Sequence, residues 1–94
     1  MSEKSVTYLV VDTREPSEYE RSHVNGAVNI SVMEFASGVL PQALTGVKKD
    51  TPILLYCLSG QRSNTCIGIL RQHGFTNLTN GIKEGRTRQM LRQG

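Results

Sequence analysis

Long apolar stretches are missing from this 94-residue chain. Its runs Leu9–Val11 and Ile53–Cys57 fall far short of the roughly 18 residues that a membrane-spanning helix needs. The Met-Ser-Glu-Lys-Ser start carries no apolar segment of the signal-peptide kind, so a soluble cytoplasmic protein with no membrane partner is expected. Proline is scarce, at three residues, and charged residues make up 20%, which excludes collagen-like and low-complexity sequence. Cysteine is scarcer still. Without an export signal, Cys57 and Cys66 are not expected to form a structural disulfide. No further Cys or His stands at zinc-site spacing, so neither a metal nor another cofactor is expected. Each cysteine counts as a thiol.

What the chain does have is the composition of one small globular domain, residues 1–94, with 37% hydrophobic residues. Net charge is +3, from eleven basic and eight acidic residues. The excess sits in residues 83–94, where Lys83, Arg86, Arg88 and Arg92 face only Glu84. That segment reads as a solvated basic C-terminal helix or tail. No nucleic-acid-binding pattern accompanies it, so no nucleic-acid partner is expected.

Apolar runs alternate with helical patterns. Thr7–Asp12 and Pro52–Cys57 read as buried parallel strands, apolar on both faces, with shorter candidates at Gly26–Ile30 and Thr76–Leu78. Pro16 at a first-turn position opens a helix over Ser17–Arg21, favoured by Glu15 and Glu18. Gly38 and Pro41 divide Val32–Leu44 into two short helices at most. Asn64–His73 is the clearest helix, with Ser63 as its predicted N-cap and Gly74 as a left-handed stop ahead of Phe75. Such alternation implies an α/β fold with helices on both faces of a parallel sheet.

Cys57 closes one predicted strand, and Leu58-Ser59-Gly60-Gln61-Arg62-Ser63 leads from it into that helix. In open α/β sheets, ligands bind beyond the carboxyl ends of the strands. A short strand-to-helix loop there turns its N–H groups inward and makes an anion-binding nest at a helix N-terminus. A thiol in the nest, with an Arg nearby, is expected to ionise easily. Gly60 allows the tight turn. Cys57 is therefore the predicted nucleophile, and the loop from Leu58 to Ser63 its binding cradle.

Three segments resemble the rhodanese family. Asp12-Thr13-Arg14-Glu15-Pro16-Ser17-Glu18-Tyr19 with His23-Val24-Asn25-Gly26-Ala27-Val28-Asn29-Ile30 resembles the family's N-terminal signature. Tyr56-Cys57-Leu58-Ser59-Gly60-Gln61-Arg62-Ser63 is similar to its active-site loop, and Leu70–Leu78 to its L-x-x-x-G-F-x-x-V/L segment. The sequence departs from the pattern at three places. Ser22 replaces a Gly, Asn80-Gly81 replaces a Gly-Gly pair, and Gly85 stands at the usual Trp position.

The resemblance implies a three-layer rhodanese-like α/β fold, with a four- to five-stranded, mainly parallel sheet. It also implies a thiosulfate sulfurtransferase. Sulfane sulfur from thiosulfate or another persulfide donor would pass through a Cys57 persulfide to cyanide or a thiol acceptor. Arg62 is placed to draw in an anionic donor. Asp12 and Arg14 are expected to pair and support the loop, His23 to bond backbone, and Cys66 to pack in the core. A persulfide carrier or regulatory module working with a sulfur-relay protein partner is the alternative. A Cys-based phosphatase or arsenate reductase is disfavoured, because those enzymes place five residues between Cys and Arg, whereas Leu58–Gln61 are four.

Overall fold

Strand β1, Leu9–Asp12, lies at the centre of the computed structural model, which describes residues 7–92. It is flanked by β2 (Val28–Asn29) and β3 (Ile53–Tyr56), and β3 is flanked by β4 (Leu78–Ile82). The order is β2-β1-β3-β4 and every pairing is parallel. Between the strands run α1 (Pro16–Arg21), α2 (Val32–Ala36), a 3-10 turn at Gln42–Leu44, and α3 (Gln61–Gln72). Helix α4, Glu84–Arg92, follows β4.

The two faces of the sheet bury separate apolar clusters, which makes three layers. Val11, Ile53 and Leu55 face Phe35, Cys66, Ile67, Leu70 and Phe75, under α2 and α3. Val10 and Tyr56 face Val24 and Ala27, with Tyr19 of α1 and Leu91 of α4 against them. The period-two alternation of side chains along a strand dictates this division. All four residues of β3 are buried, as a central strand covered on both faces requires.

Several expected boundaries move. Helix α3 begins at Gln61, so Ser63 is its third residue rather than its N-cap, and Gly60 is the cap at φ 93°. The loop needed one left-handed residue, and only Gly60 could supply it without a Cβ penalty. The end of α3 is as expected. Phe75 N–H reaches Leu70 O at 3.1 Å and Gly74 N–H reaches Arg71 O at 3.0 Å, around Gly74 at φ 95°. The strand foreseen at Thr76–Leu78 starts only at its last residue and runs on to Ile82, and the Gly26–Ile30 candidate contracts to Val28–Asn29.

The basic C-terminal segment is a helix over Glu84–Arg92, as one of the two expected forms, but it is docked rather than solvated. Thr87 of α4 is fully buried, and Arg88 donates to His23 O at 3.2 Å and to Glu84 at 2.9 Å. Gly81 makes the docking possible, because a Cβ there would collide with Thr87. Residues 93–94 and the opening residues 1–6 lie outside the described part. Among the described residues, no helix is long and apolar enough to cross a membrane.

Candidate functional site

Cys57 follows the last residue of β3, and its N–H donates to Ile82 O of β4 at 3.2 Å. Leu58, Ser59 and Gly60 then turn the chain into α3. The turn brings Gly60 N–H to 3.1 Å from Cys57 Sγ, and Ser63 Oγ to 3.6 Å from the same atom. The sulfur is enclosed: Cys57 is 1% exposed, whereas Leu58 beside it is 58% exposed.

Burial is the largest single influence on the Cys57 thiol, and it opposes ionisation. Hydrogen bonds from the Ser63 backbone and hydroxyl, and from the backbones of Ser59 and Gly60, together outweigh it and bring the thiol down to about 7. Cys66 lacks such donors. Burial pushes it up to about 12, and the neighbouring Cys57 charge acts in the same direction. Of the two thiols, only Cys57 sits where a thiolate is held.

Arg62, on the first turn of α3, is engaged. Glu18 of α1 accepts from it at 2.8 and 3.3 Å, and that bond is the chief reason its guanidinium is even more basic than usual. The negative charge of Cys57 contributes as well, so Arg62 lies within electrostatic reach of the sulfur. Arg62 and Gln61 also line an open cleft of about 470 Å³ with Val32, Asn64 and Thr65. Cys57 does not line that cleft.

Asp12 and Arg14 do pair. Arg14 Nη2 and Nε approach the Asp12 carboxylate at 2.8 to 3.1 Å, with both residues buried. Their further bonds lead elsewhere than the Leu58–Ser63 loop. Asp12 accepts the Tyr56 hydroxyl at 2.8 Å, and Arg14 donates to Ser22 O at 2.6 Å. Tyr56 accepts in turn from Val24 N–H at 3.0 Å. The pair thus anchors the residue just before Cys57 and the segment after α1. His23 stacks on Tyr19 at 3.7 Å, and its Nδ1 donates to Tyr19 O at 2.7 Å.

One residue of the site carries no chemical signature in sequence. Asn80 of β4 reaches under the loop: Nδ2 donates to Gly60 O at 3.0 Å, and Oδ1 accepts from Ser63 Oγ at 2.7 Å and from Ile82 N–H at 2.9 Å. A bulge places it there. Leu55 pairs with Asn80 but Tyr56 with Ile82, leaving Gly81 unpaired. Ile82 emerges at φ 75°, a costly conformation for a β-branched residue, with both its N–H and its carbonyl bonded into the site. The only hint in the sequence is the Asn in place of the first Gly of a Gly-Gly pair.

Comparison with known proteins agrees with this fold. A family model described as a Rhodanese-like domain matches residues 1–87. The uncharacterized protein YqhL of Bacillus subtilis is 36% identical over 78 residues, which are 80% of this chain and 58% of that protein. The thiosulfate sulfurtransferase PspE of Escherichia coli is 32% identical over 76 residues, 79% of this chain and 70% of that one. Among solved structures, a rhodanese with anions from E. coli superimposes with a TM-score of 0.72 at 28% identity, covering 85% of this chain and 91% of the other.

Proposed function

The chain belongs to the rhodanese family, and on that premise we propose that it moves sulfane sulfur from thiosulfate, or another persulfide-type donor, to a thiophilic acceptor through a Cys57 persulfide. The observation that carries the reading is the placement of Cys57 Sγ 3.1 Å from the Gly60 N–H and 3.6 Å from Ser63 Oγ, where β3 turns into α3.

In the first half-reaction the Cys57 thiolate attacks the outer sulfur of thiosulfate. A new S–S bond forms, the old one breaks, and sulfite leaves with its electron pair. The persulfide is then a buried anion at the site where the thiolate stood. The Gly60 N–H, already aimed at that position, holds it as an oxyanion-hole donor holds its charge. In the second half-reaction, cyanide or a thiolate attacks the outer sulfur and Cys57 departs as the thiolate. Two half-reactions through one covalent intermediate give ping-pong kinetics.

Glu18 neutralises part of the Arg62 charge, so Arg62 serves an anionic donor only by sharing its guanidinium. Asp12, Arg14 and Tyr56 act from behind, fixing the end of β3 from which Cys57 projects.

Intact-mass measurement tests the reading. Thiosulfate should add one sulfur atom to the protein and cyanide should remove it. Cys57→Ser should take up none, and Cys66→Ala should behave as the parent. Sulfur uptake by Cys57→Ser would overturn the assignment.

A further inference from the structure

Asn80 can be oriented without ambiguity. Ile82 N–H can only donate, so the atom 2.9 Å from it is Oδ1, and Gly60 O can only accept, so the atom 3.0 Å from it is Nδ2. Ser63 Oγ stands 2.7 Å from Oδ1 and 3.2 Å from Gly60 O, two atoms that cannot donate, and the shorter contact gives the Ser63 hydroxyl proton to Asn80. A hydroxyl has one proton. While Asn80 holds it, Ser63 meets Cys57 Sγ at 3.6 Å only as an acceptor, and the sulfur must be a thiol to complete that contact. Once Cys57 ionises, the same hydroxyl must turn from Asn80 to serve the thiolate.

We propose that Asn80 is a positioning residue for Cys57, its side-chain carbonyl competing with the sulfur for the single Ser63 hydroxyl proton. A second bond fixes the competitor in place: Asn80 Nδ2 holds Gly60 O, and Gly60 N–H in turn touches the sulfur. Asn80 therefore restrains the thiolate through Ser63 while supporting its cradle through Gly60. The result is a nucleophile less readily ionised than the same loop would give without the amide.

No other charge near the sulfur takes this part. Arg62 of α3 is paired with Glu18 of α1, Arg14 with Asp12 at the end of β1, and Glu84 of α4 with Arg88. Glu15 bears on Arg62 from the loop before α1, Cys66 of α3 is a buried thiol, and Glu34 of α2 is exposed. Strand β4 itself contains no titratable side chain.

The test is the rate of Cys57 alkylation by iodoacetamide against pH in a Cys66→Ala background. Asn80→Gly should lower the midpoint by about one pH unit, the effect of freeing one hydrogen bond to a charged group. Ser63→Ala should raise the midpoint, and adding Asn80→Gly to Ser63→Ala should bring no fall, since the lost Nδ2–Gly60 O support can only raise it. An unchanged or raised midpoint in Asn80→Gly, or the same fall with Ser63 absent, would overturn the proposal. Thermal melting establishes that each variant is folded. Should Asn80→Gly fail to fold, the side-chain amide resonances of Asn80 in the otherwise unaltered protein give the answer. They should titrate with the Cys57 midpoint and lose most of that response in Ser63→Ala; an equal response there overturns the proposal too. The consequence for catalysis rests on the sulfur-transfer reading, but alkylation reports the thiolate whether or not sulfur moves. If thiosulfate loads no sulfur onto Cys57, that reading fails alone.

Discussion

Glu18 on α1 holds Arg62 on the first turn of α3 by two hydrogen bonds, of 2.8 and 3.3 Å. The arginine proposed to receive an anionic donor is thus already bound to an anion of the protein. On that proposal, substrate and Glu18 would compete for one guanidinium.

Arg62→Ala should raise KM for thiosulfate more than it affects a neutral sulfur donor, because the lost interaction is with substrate charge. Glu18→Gln should do the reverse and lower KM for thiosulfate, by up to about fivefold, the range of a partly exposed ion pair. In the double variant the Glu18 effect should vanish. Steady-state kinetics with both donors decides. Equal losses for both donors in Arg62→Ala would mean that Arg62 holds the loop, not the substrate.

The same pair shapes acid stability. Chiefly through its bond from Arg62, the Glu18 carboxyl is drawn down from 4.5 to about 2. Between those values the unfolded chain binds more protons at this site than the folded one, so stability falls as pH falls. The contribution is complete above pH 4.5 and gone near pH 2. Solvent screens the pair, so the loss is about 1 kcal/mol at most. Urea titrations across this window should show a shallower pH slope in Glu18→Gln.

Cys57 acts in the opposite pH range. With its thiol near 7, alkylation should rise through a midpoint near that pH, well below the ordinary 9.0. Folding favours the thiolate, so stability should rise with pH from about 7 toward 9 and then level off. Cys57→Ser should remove that rise. A midpoint near the ordinary thiol value would mean that the loop donors do not outweigh burial.

The parts of this fold legible in sequence are those governed by near neighbours. Alternating apolar runs gave β1 and β3, Pro16 gave the start of α1, and Gly74 with Phe75 gave the end of α3. Cys57 was legible because a strand end, a glycine and a helix start follow one another within a few residues. The start of α3 was misplaced because Ser63, a good capping residue, spends its hydroxyl on Asn80 and Cys57 instead. The link from Arg62 to Glu18 spans 44 positions, and that from Asn80 to Ser63 depends on a bulge shifting register by one. No local pattern encodes either. The basic segment reads as solvated, helix or tail, because Thr87, the one fully buried residue of α4 among those described, carries no apolar signal.

Gly81→Ala should loosen α4. Its Cβ would land on Thr87 Oγ1 and come within 3.3 Å of Leu54 Cδ1, so the helix must shift. Overpacking of this kind costs roughly 1–3 kcal/mol. Thr87→Ala alone should cost little, because Thr87 Oγ1 is buried without a hydrogen-bond partner. Combined with Gly81→Ala it should recover part of the loss. Urea midpoints of the three variants measure this, and a neutral Gly81→Ala would show that α4 is not held by close approach at this point.

The Gly81 bulge also bears on how copies of the chain behave toward one another. A sheet with two open borders offers unpaired N–H and C=O groups on which a second copy can template. Among the described residues one border is β2, only two residues long, and the other is β4, bulged at Gly81 with Ile82 at φ 75°. The bulge that aims Asn80 at the loop also interrupts the regular ladder at that border. The same bulge that lets Asn80 restrain the thiol thus disfavours the addition of strand to strand between copies.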